Sequence, residues 1–164
     1  MLKLVSRLMI VGAVLGLAAC WGGEKSGPED IHWDRDACEL CRMFISEPKF
    51  AAEVRGGPKN KLYKFDDIGC AVNWLNSQDW AGDEAAEIWV AEASSTREKV
   101  IWLKAREARY VKGGLSPMNY GYSAVAPSSD MSATEMPGID FVAMTTAILA
   151  DAPNHICKVP ERNE

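Results

Sequence analysis

Histidine is nearly missing from this chain: 164 residues hold two, His32 and His155. That scarcity removes the imidazole-rich zinc motifs of hydrolases. Neither a Gly-x-Ser-x-Gly nucleophile turn nor a Gly-rich phosphate loop closed by Lys-Ser/Thr occurs to supply another catalytic centre, so the chain reads as a non-enzyme. Positive charge is also in short supply. Lys and Arg total 18 against 23 Asp and Glu, a net charge of -5, which leaves no basic patch for nucleic acid. The N-terminal apolar run, Leu8 to Ala19, falls short of the roughly 20 residues a membrane-spanning helix needs. With 48% hydrophobic and 25% charged residues, the composition is that of a globular protein and excludes disorder throughout.

The short apolar run has a different use. It follows Lys3 and Arg7 and ends in small residues, the pattern of a secretory signal over residues 1–19. Its last tetrad, Leu17-Ala18-Ala19-Cys20, resembles the lipobox of bacterial lipoproteins, making Cys20 the lipidated first residue of a mature chain outside the cytoplasm. Cleavage removes Lys3 and Arg7 and takes the charge from -5 to -7. Trp21 is not the acidic retention signal of inner-membrane lipoproteins, which favours the outer membrane. Residues 20–35, rich in Gly, charge and Pro, read as a tether, with the fold beginning near Asp36.

The body alternates strand-like and helical text. "MFISEPKFAAEVR" and "LYKF" flank "GGPKNK" as a hairpin, and Asp66 or Asp67 caps a helix over 67–77 whose apolar positions include Ile68, Ala71, Val72 and Leu75. "EIWVAEA", "VIWLKA", "ARYVKGG" and "YSAVAP" read as strands. Ser129 or Asp130 is placed to cap a short helix, and "FVAMTTAIL" is a helical stretch before a loose tail. The expectation is α+β, with two small related ββα-type halves at 36–82 and 83–150 and a tail at 151–164.

Setting Cys20 aside, Cys38, Cys41, Cys70 and Cys157 remain, an even count that makes disulfides the default outside the cytoplasm. Cys38-Glu39-Leu40-Cys41 precedes the first strand instead of opening a helix after one, and Glu39 works against a lowered thiol pKa, so thioredoxin-like chemistry is disfavoured. Covalent haem needs His after the second Cys, where Arg42 stands. Structural zinc lacks a second close pair and stays open only with Cys70, Cys157, His32 or His155 brought in from afar. Met43 favours copper, because a soft thioether suits Cu(I) and adds little for harder ions. On an extended segment Met43 would share a side with Cys41. Met118, in the Gly-rich "GGLSPMNYGYSA", is either a second soft ligand or core cover, whereas Met131, Met136 and Met144 read as core. Cys70, beside Ala71 and Val72, reads as a buried thiol, with a Cys70–Cys157 disulfide left open. His32 and His155 read as solvated.

Taken together, the lipobox Cys20, "DxCxxCxM" (Asp36, Cys38, Cys41, Met43), "FDDIGC" (Phe65–Cys70) and "SPMxxGY" (Ser116–Tyr122) resemble the NosL family of lipoprotein copper chaperones. The resemblance implies two ββαβ units similar to the organomercurial lyase fold and Cu(I) binding in the periplasm. It also implies delivery to nitrous oxide reductase through an ABC-type maturation complex. By it Cys41, Met43 and Met118 are the copper ligands, Cys38 is a further sulfur and Asp36 a nearby or accessory ligand. The rival reading is a periplasmic thiol-disulfide oxidoreductase using Cys38 and Cys41. "SSDMSATEMPGIDFVAMTTAIL" departs from the family in lacking a longer Ala- and Glu-rich amphipathic helix.

Overall fold

The computed structural model describes residues 25–127 and 138–151. A 3-10 turn at Pro48–Phe50 leads into β1 (Ala52–Gly56), which folds back as β2 (Lys61–Phe65). Then come α1 (Ile68–Asn76), β3 (Glu87–Ala91), β4 (Trp102–Lys104), β5 (Arg109–Lys112), β6 (Tyr122–Val125) and α2 (Phe141–Asp151). The first four strands make one antiparallel sheet in the order β2-β1-β3-β4, and β5 pairs with β6. The α+β class is as expected from the sequence, and the helix expected over 67–77 occupies 68–76.

Strand alternation divides the large sheet into two unlike faces. Ala52 lies opposite Phe65 and Val90, and Val54 opposite Tyr63 and Ile88, which gathers apolar side chains on one face. Over it α1 buries Ile68, Ala71, Val72 and Leu75, and α2 adds Met144 and Ile148. The small sheet joins the large one through a bridge from Glu92 to Ala124, and Tyr110 on it bridges to Ile139 just ahead of α2.

The second face presents Glu53, Arg55 and Lys64, and here the structure departs from expectation. The chain from Lys25 to Arg35, expected as tether, lies along this face as a polar strap. Arg55 donates to the Gly27 carbonyl (3.1 and 3.2 Å) and pairs with Glu29 at 2.9 Å. Glu53 accepts the Glu29 N–H at 2.8 Å, Glu87 accepts the Gly27 N–H at 2.6 Å, and Lys64 reaches the Asp30 carbonyl at 2.6 Å. The reason is electrostatic: Arg55 is buried, and a buried charge persists only with partners, while the buried Glu53 carboxyl finds a donor in the strap.

Two further differences concern boundaries. The halves expected at 36–82 and 83–150 share the large sheet, since β3 of the second pairs with β1 of the first from Ala52↔Val90 to Arg55↔Glu87. A lone β1–β2 hairpin would leave the inner edge of β1 unpaired and be marginal by itself. The order β1-β2-α1-β3 is a ββαβ unit that closes at Ala91, and β4-β5-β6-α2 does not repeat it. Ahead of β1, Phe44 forms one bridge to Ala37 and no longer strand. Cys20, Ser129, Asp130, Met131, Met136, His155, Cys157 and the tail from residue 152 lie outside the described residues.

Candidate metal centre

The Cys-x-x-Cys segment is a tight loop. Cys38 N–H donates to the Met43 carbonyl at 2.8 Å, Arg42 N–H donates to the Cys38 carbonyl at 3.0 Å, and Arg42 turns the chain with a φ of 65°. That left-handed residue invalidates the expectation that Cys41 and Met43 share a side along an extended segment. The loop is pinned to the sheet by Glu39 N–H on the Lys64 carbonyl at 2.9 Å.

Phe65 ends β2 beneath this loop, and the next residues open α1. Asp67 caps the helix by accepting the Gly69 N–H at 2.9 Å and also accepts Met118 N–H at 3.3 Å. Its neighbour Asp66 is thereby aimed at the loop, with Cys41 Sγ 3.5 and 3.7 Å from its two carboxylate oxygens. Cys70 projects from the first turn of the same helix. The ligand atoms of Cys38, Cys41, Cys70 and Asp66 all lie within 4.8 Å of one another. Cys38, Cys70 and Asp66 are buried, and Cys41 alone is half-buried, so the cluster opens outward through Cys41.

The proton inventory follows from these contacts. Hydrogen bonds from the Cys38 and Cys70 thiols bring Cys41 down to about 4. They outweigh burial and the Asp66 charge, with help from the Met43 N–H. Burial, then the neighbouring Cys38 sulfur, push Asp66 up to about 7. Cys70 is held well above the ordinary thiol range by hydrogen bonding to Cys38 and Cys41 and by burial. The result is an anionic sulfur, Cys41, at the mouth of a sulfur-rich pocket whose donor set is compatible with binding a metal ion.

The family model for NosL matches residues 31–137. The chain belongs to the NosL family. The solved structure of the copper chaperone NosL from Shewanella denitrificans has a similar fold at 20% identity, over 71% of this chain and 91% of that one, with a TM-score of 0.51. No curated protein sequence matches the chain.

Of the residues that the NosL resemblance marks as ligands, the cluster holds Cys38 and Cys41. Met43 stands at the rim, 53% exposed, with its backbone on Cys41 Sγ. Met118 is buried in the loop over the N-terminus of α1. Asp36 is outside the cluster, because its carboxylate engages Lys64 Nζ at 2.7 Å and the His32 N–H at 3.0 Å. Cys70 and Asp66 are the members that sequence reasoning missed. The available signal was spacing: Asp66 and Cys70, four apart across a helix start, bring both side chains to one end of the helix.

The NosL motifs also hold each other in place. Tyr120 of the Ser116–Tyr122 segment lies flat on Gly69, where an added Cβ would come within 2.1 Å of the ring. Its hydroxyl accepts Asn73 Nδ2 at 3.0 Å. Gly121 N–H on Ser116 Oγ at 2.9 Å closes the loop that carries Met118.

Proposed function

We propose that this chain is a lipid-anchored Cu(I) metallochaperone of the periplasm, delivering copper for the maturation of nitrous oxide reductase with its ABC-type membrane complex. The observation that carries the reading is the convergence of three thiols and one carboxyl with a single, outward-facing, readily ionised sulfur, Cys41. Cu(I) is soft and monovalent, and it prefers thiolate and thioether to oxygen.

In this reading Cys41 is the principal ligand, Met43 and Met118 contribute thioethers, Cys38 is a further sulfur, and Asp36 is a nearby residue outside the cluster, held by Lys64. The geometry adds Cys70 with Asp66. Exposure of Met43 supports a transfer role, since a ligand at the rim can be displaced first by an incoming sulfur or imidazole while Cys41 still holds the ion. Stepwise replacement keeps copper from being free. Because Cys41 is already a thiolate at neutral pH, binding displaces little proton there, which flattens the pH dependence of affinity.

The test is competition of the reduced, unlipidated protein against a Cu(I) chelator. Cys41→Ser is expected to lose at least about tenfold in affinity, roughly 1.4 kcal/mol. Unchanged affinity in both Met43→Ala and Met118→Ala would remove the thioethers from the site, and X-ray absorption would then count the remaining sulfurs.

One observation favours a second reading, thiol-disulfide exchange at Cys38 and Cys41: a lowered thiol pKa beside buried thiols also suits a nucleophile. Insulin reduction by the wild type, abolished in Cys41→Ser, together with no Cu(I) retention, would install that reading.

A further inference from the structure

Metal coordination is not the only bond within reach of the thiol cluster. Cys38 and Cys41 stand three residues apart in a turn closed by Arg42 N–H on the Cys38 carbonyl at 3.0 Å, and the bridge between Ala37 and Phe44 holds its base. Residues three apart in a closed turn have Cα atoms within about 7 Å, which overlaps the roughly 4.4–6.8 Å that a disulfide spans. The two sulfurs already lie within 4.8 Å of each other. Rotation about side-chain bonds therefore suffices to join them, with the loop still fastened to the sheet through Glu39 N–H and the Lys64 carbonyl.

Cys70 is held differently. It belongs to the first turn of α1, which the Asp67 cap and the Tyr120 ring on Gly69 keep in place. A bond from Cys70 to either loop thiol would join two separately anchored elements, and no turn sets their spacing. Access differs as well: Cys38 and Cys70 are fully buried, so of the three only the half-buried Cys41 meets a small molecule arriving from solution.

We propose that Cys38 and Cys41 are a reversible oxidation site, closed into a disulfide by exchange with a small-molecule disulfide, and that this bond and a bound metal exclude each other. The Cys41 sulfur attacks one sulfur of the external disulfide R–S–S–R, forming a mixed disulfide and releasing the first R–S⁻. The Cys38 sulfur then attacks the Cys41 sulfur and displaces the second R–S⁻. The protons given up by the two cysteines pass through water to the leaving sulfurs, so two electrons reach the external disulfide and two R–SH depart. Since a metal is held by thiolate and not by a bonded pair, the pocket is left with one thiol, Cys70, beside Asp66. A dithiol reductant must then act on the chain before it is loaded. The metal half of the inference rests on the Cu(I) reading above.

The experiment uses the Cys20→Ser chain, so that the lipidation position adds no thiol. The reduced protein is held anaerobically with oxidised glutathione, alkylated and cut with trypsin, which leaves Cys38 and Cys41 together on Asp36–Arg42. In the expected result that fragment is unalkylated and lighter by two hydrogens, while Cys70 is alkylated once unfolded. With the oxidant removed, Cu(I) retention against a chelator falls at least about tenfold, and dithiothreitol restores it. Cu(I) loaded beforehand slows closure of the disulfide at least about tenfold. Cys38→Ser stops at a glutathione mixed disulfide on Cys41, and Cys41→Ser acquires neither bond. Alkylation of both Cys38 and Cys41 after oxidation, or a Cys41–Cys70 bond in their place, overturns the site. Equal Cu(I) retention with and without the Cys38–Cys41 bond overturns the exclusion. Reduced protein that closes the disulfide yet never retains Cu(I) overturns the copper reading and leaves the oxidation site standing.

Discussion

Gly69 is the residue at which the least chemical change should do the most structural damage. Gly69→Ala would drive a methyl group into the Tyr120 ring, and both are buried, so overpacking is expected to cost about 3 kcal/mol, read as a lowered urea midpoint. Glu53 offers a pH signature. Its carboxyl is fully buried, one oxygen has no hydrogen-bond partner, and burial raises it from an ordinary 4.5 to about 7. An acid raised on folding binds its proton more tightly in the native state, so its contribution is complete below 4.5 and is lost as pH rises through about 7. Relative to Glu53→Gln, the wild type should therefore gain stability on acidification from pH 7 to 4.5, and parallel melting curves for the two proteins across that range would contradict this. At this scale the sequence was legible only in part. Cys38, Cys41 and Met43 announced themselves by chemistry, whereas Cys70 looked like core because it is core, buried among α1's apolar positions while also lining the pocket. Asp66 was hidden by Asp67, since either could have been the cap.

At the scale of elements, α1 is a positioning device: its cap fixes Asp66, its first turn supplies Cys70, and its Gly69 receives the second loop. Asp67→Ala should cost about 1 kcal/mol as a lost cap. Because Asp67 also holds Met118 N–H, the substitution should lower Cu(I) affinity in the competition assay, whereas Asp67→Asn should retain most of the stability. The strands and α1 were legible from alternation and helical spacing because each has one apolar face. The strap was not. Its Gly, Pro and charged residues have the composition of a linker, and what orders them is a set of partners on β1, β2 and β3 that no local pattern discloses. Arg42 in a left-handed conformation is likewise unsignalled, since that region favours Gly, Asn or Asp.

Across the whole molecule, Arg55 ties the strap, the sheet and the turn together while almost fully buried. Arg55→Ala removes the partner of Glu29 and leaves the strap's Gly27 carbonyl without its donor. The expected loss is about 3 kcal/mol in urea denaturation, whereas truncation of an exposed pair such as Lys104–Glu107 should change little. The α+β class was foreseeable from the succession of elements, but the pairing of β3 with β1 is a long-range choice that sequence pattern does not express. That same long-range construction bears on when the protein can be charged with its ion. Cys38 and Cys41 come from before β1, Asp66 and Cys70 from after β2, and only the registered hairpin brings the two groups together. An unfolded or half-made chain therefore offers two separated thiol fragments and no pocket, and metal occupancy becomes a record that folding has been completed.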